Sequence, residues 1–405
     1  MKRHYIFLLT ALLFGVTNAQ KLELLIEEAL VNNPEIQAFE LKYELTAEKV
    51  NEANTLPNTQ LGIGYFVSEP ETRTGPQRFK ISAKQMLPSF GAITARENYL
   101  NSVADAVFED IAIAKRKLVA SVSQSYYNLY ALKEKQDILE QNLQLLKTHE
   151  ELALNAVAVG KASAVDVLRI QMRQNEVVQM KQVLNQDYFA EQTKFNKLLH
   201  RDKNAPLLLE GEFTMPTEGA FVSSDNLEFH PELMKYDKLY NSVSQSELLN
   251  QKESKPMLGL GIDYIAVSER PDLDFYDNGK NIFMPMLSVS IPLFNKKYKS
   301  RSKQNELKQQ ELLAQKESRL NSLETLLDKA VKASNAAQIS YNTQVKNLKQ
   351  AQDAKAIIVK NYETGTVDFE DILALQELEL KFQLNQIDSI KNYFIQRTLI
   401  NYLTR

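Results

Sequence analysis

The sequence has no cysteine, no tryptophan, and only twelve glycines and twelve prolines among its 405 residues. Without cysteine the chain forms no disulfide, no thiolate nucleophile and no cysteine metal site. The scarcity of glycine and proline, with long stretches rich in Ala, Leu, Lys, Glu and Gln, is typical of long helices. The net charge of −3 is too small to provide the basic surface that nucleic-acid binding requires.

Long apolar runs are also missing, except at the start of the chain. Residues 1–20 begin with Lys2 and Arg3, continue through an apolar stretch to Val16, and reach small residues before Ala19. This pattern predicts a secretory signal peptide over residues 1–19. The run is shorter than the ~20 residues that a spanning helix needs, which disfavours an uncleaved anchor. We therefore expect an exported protein that crosses no bilayer by helices.

The rest of the chain is one unit written twice. We assign the first repeat to 21–201, a linker containing Pro and Gly to 202–225, and the second repeat to 226–405. Four matches in the same order exceed what chance produces, and they predict a duplicated architecture. The matching segments are NPEIQAFELKYEL (33–45) with HPELMKYDKLYNS (230–242), LPNTQLGIGYFVSEP (56–70) with KPMLGLGIDYIAVSERP (255–271), QMLPSFG (85–91) with SIPLFNK (290–296), and VAVGKASAVDVL (157–168) with YETGTVDFEDIL (362–373).

The sequence pattern of each repeat predicts the same order of elements: a helix, a β-hairpin, a very long helix and a second, antiparallel helix. Period-two alternation predicts the strands, and three-four spacing of apolar residues predicts coiled-coil helices. Strands of about 9–11 residues suit a tilted membrane-spanning β-strand. The predicted strands cover ~59–67, ~78–87, ~257–267 and ~282–292, and the predicted helical hairpins cover ~92–200 and ~298–403.

A glycine marks the tip of each predicted helical hairpin. Gly160 and Gly365 suit the left-handed conformation that ends a helix. Ser163 and Asp368 are residue types that cap the following helix. The duplicated corner is therefore interpreted as a turn between two antiparallel helices.

The alternation of the second strand separates a polar face from an apolar face. We expect the polar face to line an aqueous lumen and the apolar face to contact lipid, although a half-buried soluble sheet would show the same alternation. The predicted lumen face consists of Arg78, Lys80, Ser82 and Lys84. Because the chain has no tryptophan, we expect the aromatic side chains at the membrane interfaces to be Tyr65, Phe66, Tyr264, Phe275 and Tyr276.

Four strands per chain cannot close a barrel, and an open sheet edge in lipid leaves backbone groups unpaired. Closure by cyclic symmetry would give eight, twelve or sixteen strands. The alternative is an exported structural coiled-coil protein that bridges envelope layers without a pore.

The ordered motifs, taken together, resemble the TolC-like outer-membrane efflux protein family over essentially the whole mature chain. The resemblance rests on the NPE and HPE openings, the two hairpins, LPSFG and PLFNK, and the two corners. It implies a mixed fold of helices and membrane β-barrel. A homotrimer would share one twelve-stranded barrel, continued by a periplasmic coiled-coil tunnel.

The same resemblance implies a passive outer-membrane conduit with no catalysis and no cofactor. Its partners would be a periplasmic adaptor and an inner-membrane pump. QMLPSFGAITAREN (85–98) and SQSYYNLY (123–130) are most similar to members that serve RND-type heavy-metal or cation pumps.

In the resembled family the two corners form the periplasmic entrance and its gate. The resemblance assigns Asp166 and Tyr362 to links between gate helices, and Asp371 to an acidic ring. Val367 stands where the family usually has an arginine, and Ala374 where a second acidic ring occurs, so neither feature is expected here. Alternatively, Asp166 and Asp371 are acids favoured by a helix N-terminus.

Enzyme and metal chemistry find little support in the sequence. The histidines occur in no nucleophile or metal motif, and no glycine-rich phosphate loop is present. Met284 and Met286 share one face of a predicted strand, where packing is favoured over metal binding. We therefore expect no catalytic, cofactor or metal site.

Overall fold

The computed structural model describes residues 22–160, 163–209, 213–216, 224–272, 274–363 and 367–404. The predicted signal peptide, part of the predicted linker and the second corner glycine, Gly365, lie outside them. The helices are α1 (Leu22–Asn32), α2 (Pro34–Ala53), α3 (Ala92–Ala158), α4 (Ala164–Leu198), α5 (Pro231–Glu253), α6 (Lys297–Glu363) and α7 (Phe369–Thr404), with a 3₁₀ turn at Ser224–Phe229. The strands are β1 (Gln60–Tyr65), β2 (Glu71–Thr72), β3 (Gly75–Leu87), β4 (Met257–Val267) and β5 (Ile282–Ser290).

The opening helix of the first repeat is broken at Asn33, where the sequence predicted one continuous helix. Proline has no N–H, and its ring disfavours helical geometry in the preceding residue, so Pro34 starts a new helix. The Asn33 side chain donates a hydrogen bond to the carbonyl oxygen of Leu198 at 3.0 Å. In the second repeat His230 caps α5, because its Nδ1 accepts the Glu232 N–H at 3.3 Å.

The five strands form one antiparallel sheet in the order β1-β3-β4-β5, with β2 paired to β3. The two hairpins meet between β3 and β4, so the sheet joins both repeats. Ile81 lies opposite Tyr264, and Lys84 lies opposite Gly261. Strand β3 begins at Gly75, earlier than the alternation predicted, and the short β2 lies in the link between the first two predicted strands.

The chain divides into two compact units that do not coincide with the two repeats. The sheet unit contains the described residues within 35–115, 223–326 and 403–404. The helical unit contains those within 22–34, 116–222 and 327–402. Both repeats contribute segments to each unit, because α3 and α6 each pass from one unit into the other.

The helical unit has a continuous apolar core drawn from both predicted hairpins. Helices α3 and α4 come from the first repeat and α7 from the second, so burial of these side chains holds the two hairpins together. The core residues are Leu139, Leu143, Leu146, Ala153, Val167, Ile170, Val177, Phe369, Ile372, Leu373 and Leu380. None of the helices in the described part of the chain has an apolar stretch long enough to cross a membrane.

Candidate functional site

One face of the sheet carries a continuous set of large apolar side chains that are open to solvent within the single chain. Leu61, Ile63 and Leu287 are 78%, 84% and 71% exposed. A protein that works as a water-soluble monomer rarely exposes a patch of this kind, because it marks a protein or membrane contact. The face consists of Leu61, Ile63, Tyr65, Phe79, Ile81, Leu258, Leu260, Ile262, Tyr264, Phe283, Leu287 and Val289.

The opposite face of the sheet carries charged, polar and small residues, together with Ile265 and several methionines. Lys80, Ser82 and Lys84 share this face of β3, as the sequence predicted, whereas Arg78 falls where the register with β4 is irregular, between Gln77 and Phe79. Lys80 forms an ion pair with Asp263, whose side chain is fully buried. This partner offsets the cost of burying a carboxylate, which would otherwise be large. The sheet therefore has one mainly apolar face, while its charged side chains lie on the other.

Charged side chains join the two loops at one end of the sheet. Arg78 lies 2.7 Å from Glu69, and Arg73 lies 3.2 Å from Asp277. Arg270 pairs with Glu71 and also donates to the Thr72 carbonyl oxygen at 2.8 Å. The loops of the two repeats are thus connected to each other by ion pairs at this end.

The first helical corner has the geometry that its sequence predicted. Gly160 has φ +74°, and its N–H donates to the Val157 carbonyl oxygen at 3.0 Å. Ser163 then caps α4, since its Oγ accepts the Val165 N–H at 3.1 Å. Asp166 completes a capping box by accepting the Ser163 N–H at 3.2 Å. Asp166 therefore has a local role at the start of α4.

The other residues assigned to a gate by resemblance lie around the start of α7. The Tyr362 ring contacts the Phe369 ring edge-on, with centroids 5.6 Å apart. Asp371 is exposed in the first turn of α7, and Val367 is half-buried just before it. Asp371 is therefore free to face solvent, and the helix-terminus interpretation also fits its position.

Two ion pairs that the sequence reasoning missed connect α4 to α7 near the corners. Arg169 lies 2.5 Å from Glu370, and Arg173 pairs with Glu377. We refer to these two contacts as the tip ion pairs. The spacing of these residues in the sequence could have predicted the pairs. The arginines are four residues apart, the glutamates are seven apart, and both lie beside apolar residues of the core. Charges that flank an apolar seam in this way commonly pair across a coiled coil.

A half-buried histidine, His149, lies next to the same core. The His149 ring contacts the Phe369 ring edge-on at 5.9 Å. Burial lowers the pKa of His149, and the nearby Lys355 lowers it further. Lys355 itself lies 2.7 Å from Glu379. His149 is therefore neutral at physiological pH. Separately, the described residues contain no group of three or more His, Cys, Asp or Glu side chains suited to a metal ion.

Comparison with known proteins agrees with this architecture. Residues 25–193 match the family described as "Outer membrane efflux protein". This match covers most of the first repeat, and no curated protein matches the chain.

Three solved outer-membrane channels share the fold of nearly the whole chain. The outer membrane protein VceC of Vibrio cholerae is 18% identical, with a TM-score of 0.73, over 95% of this chain and 96% of that one. The open state of the MtrE channel of Neisseria gonorrhoeae is 17% identical, with a TM-score of 0.72, over 95% and 88%. The CmeC channel of Campylobacter jejuni is 15% identical, with a TM-score of 0.73, over 95% and 85%.

The resemblance predicted from the ordered motifs is thereby confirmed. The family concerned is one of efflux channels and not of enzymes. The family match covers most of the first repeat, and the fold of nearly the whole chain is that of the solved outer-membrane channels.

Proposed function

We propose that this protein is the outer-membrane channel of a tripartite efflux system. It would act as a passive conduit that receives substrates from an inner-membrane pump through a periplasmic adaptor. The observation that carries the proposal is the sheet with one exposed, mainly apolar face and an opposite face that carries the charged and polar side chains. A bilayer covers the first face, and water in a lumen solvates the second. The alternative, a coiled-coil protein that bridges envelope layers without a pore, leaves this apolar face unexplained.

Closure of the barrel would come from a homotrimer. Within one chain, β1 and β5 are the outer strands of the sheet, and each pairs on one side only. Their remaining N–H and C=O groups need partners in a bilayer. Pairing β5 of one copy with β1 of the next satisfies these groups, and three copies give a twelve-stranded barrel. Twelve strands leave an open lumen, whereas eight would fill it with side chains.

The lumen face of this barrel would carry Arg78, Lys80, Ser82 and Lys84 from each copy. Asp263 neutralises Lys80, and Glu69 neutralises Arg78, so Lys84 contributes the uncompensated charge at this level. Lys84 is exposed, and the wall beside it on β4 is formed by Gly259 and Gly261. Its stem lies over Gly261, and the side chain remains exposed.

The helical corners would form the periplasmic entrance. The shared apolar core provides most of the energy that holds the two hairpins of one chain together, and the tip ion pairs add a smaller, salt-sensitive contribution. Asp371 would be repeated by the threefold axis into an acidic ring. Asp166 supports the start of α4 through its capping box, while Tyr362 packs against Phe369. An RND-type pump is the proposed inner-membrane partner, on the sequence resemblance alone.

Chemical crosslinking tests the barrel directly, because the natural chain has no cysteine. Cysteines placed at Leu61 on β1 and Leu287 on β5 should react with a short bifunctional maleimide to give covalent trimers in detergent. The matched control places cysteines at Ala83 and Ile262, which are partners within one chain. That pair should crosslink internally and yield monomers only. A protein that remains monomeric and soluble without detergent would disprove the proposal.

A further inference from the structure

The turns that connect the sheet to the long helices expose two phenylalanines, one from each repeat. Phe90 is 98% exposed in the LPSFG turn after β3, and Phe294 is fully exposed in the IPLFN turn after β5. The two residues occupy matching positions after Pro88 and Pro292. The duplication has therefore kept an exposed aromatic ring at the same structural position in both halves.

These exposed rings lie on ordered turns. Ser89, beside Phe90, is buried, and its Oγ donates to the Lys252 carbonyl oxygen at 2.5 Å. Phe294 has φ +60°, a left-handed conformation that is strained for a bulky side chain. Asn295 then accepts the Lys297 N–H at 2.9 Å at the start of α6. A strained backbone that holds a ring in solvent points to a contact outside the chain.

Four lysines lie close in sequence to the strand ends at this end of the sheet. Leu87 pairs with Leu258, and Met257 pairs with Ser290, so the segments that flank these residues lie side by side. Their lysines are exposed, and no ion pair involves them in the described part of the chain. We refer to Lys255, Lys296, Lys297 and Lys299 as the basic collar.

Glu253, an acid close in sequence to Lys255, already forms ion pairs with two arginines. Glu253 lies 3.2 Å from Arg96 and 3.2 Å from Arg301, so it does not neutralise the basic collar. The other end of the sheet differs in charge. Its loops, 66–74 and 268–281, contain six acids and three bases, and several of these form ion pairs. The two ends are therefore matched to surfaces of different charge.

We propose that Phe90, Phe294 and the basic collar form a binding site for anionic phospholipids at the helix-proximal boundary of the bilayer. The proposal rests on the proposed function, which places the apolar face of the sheet in a membrane. Aromatic rings settle at the level of the lipid headgroups, where tryptophan would usually be found. Lysines keep their ammonium groups among anionic headgroups while their stems contact apolar surface.

The absence of tryptophan from the chain makes this site directly measurable. Phe90→Trp and Phe294→Trp each introduce a single tryptophan that can be excited selectively. The control is Phe189→Trp on α4, whose side chain is 52% exposed in the helical unit. After reconstitution, both site variants should show blue-shifted emission that is quenched by phospholipids brominated near the headgroup. The Phe189→Trp variant should not be quenched by these lipids.

Energy transfer then tests the preference for negative charge. Transfer from tryptophan at position 294 should be at least twofold stronger to dansyl-labelled phosphatidylglycerol than to dansyl-labelled phosphatidylcholine. Replacing the four collar lysines by glutamine should abolish that preference. A control set with the same change in charge replaces exposed lysines along α6, namely Lys329, Lys346, Lys349 and Lys360. The control set should keep the preference.

Two results would overturn the proposal. Emission typical of water, or blue-shifted emission without lipid quenching, would mean that the rings face solvent or another protein surface. Equal transfer to the two lipids would mean that the collar does not select anionic headgroups. In either case single-channel conductance of the same preparation shows whether the proposed function stands. A preparation that neither conducts nor associates with bilayers would instead refute the proposed function itself.

Discussion

The tip ion pairs offer the sharpest test of how the two hairpins of one chain are held together. Arg173 lies between Glu377 on α7 and Glu176 on its own helix. Replacing Arg173 by glutamate removes the attraction to α7 and places three negative charges together. The opposite replacement, Glu377→Arg, removes the same contact from the other side. Combining both changes rebuilds the pair with its charges exchanged.

The free-energy contribution expected from each tip ion pair follows from the exposure of its side chains. The side chains of Arg173 and Glu377 are 34% and 53% exposed, and those of Arg169 and Glu370 are 40% and 64% exposed. Pairs this exposed contribute about 0.2–1 kcal/mol each, because water screens them. Truncating one buried core leucine, as in Leu373→Ala, should cost about 2–5 kcal/mol. Packing therefore dominates, and we expect the ion pairs to make a smaller contribution to holding α4 against α7.

The effect becomes measurable if three chains open together. A loss of about 1 kcal/mol in each chain amounts to about 3 kcal/mol for a trimer. At about 1.4 kcal/mol per factor of ten, this shifts the open-to-closed ratio roughly a hundredfold. Planar-bilayer recordings of Arg173→Glu at 0.1 M salt should show a higher open probability. The difference should shrink at 1 M salt, where the Debye length falls to about 3 Å.

The double exchange decides whether the contact itself is responsible. Arg173→Glu combined with Glu377→Arg should restore most of the closed behaviour of the natural protein. The control, Lys332→Glu, breaks a pair with Asp328 inside α6 and should leave the recordings unchanged. If the double variant opens as readily as either single variant, the pair does not hold α4 to α7 and the reasoning is wrong.

Two further predictions concern the same region. Asp371→Asn should reduce both cation preference and block by multivalent cations in bilayer recordings, because it would remove a ring of three carboxylates; Asp353→Asn on α6 is the control, and unchanged selectivity in Asp371→Asn would leave Asp371 as a helix-terminus acid. Burial, with help from Lys355, lowers the pKa of His149, so the unfolded chain takes up a proton near pH 6.5 while the folded chain does so only at lower pH. Stability should therefore fall as the pH drops below about 6.5, and His149→Phe should flatten this part of the profile of denaturation midpoint against pH. An unaltered profile in His149→Phe would show that other groups cause the acid sensitivity.

Much of the architecture follows from the sequence by itself. Alternating apolar residues predict strands, three-four spacing predicts helices, and the repeated motifs predict that the second half copies the first. The corner at Gly160 follows from one glycine and the capping serine after it. These features depend on neighbours within a few residues, so local chemistry is enough to determine them. Closure into a trimer and the role of Asp371 at an entrance remain predictions.

The tertiary structure decided which distant residues meet. It joins the two β-hairpins through the pairing of β3 with β4. It also pairs Arg169 with Glu370, which are 201 positions apart in the sequence. It also leaves Phe90 and Phe294 in solvent. None of these contacts has a local signature, because each depends on how whole helices and strands pack. The spacing of apolar residues along the sequence predicts which face of a helix or strand a side chain occupies. Which residue it contacts there depends on how distant elements pack together.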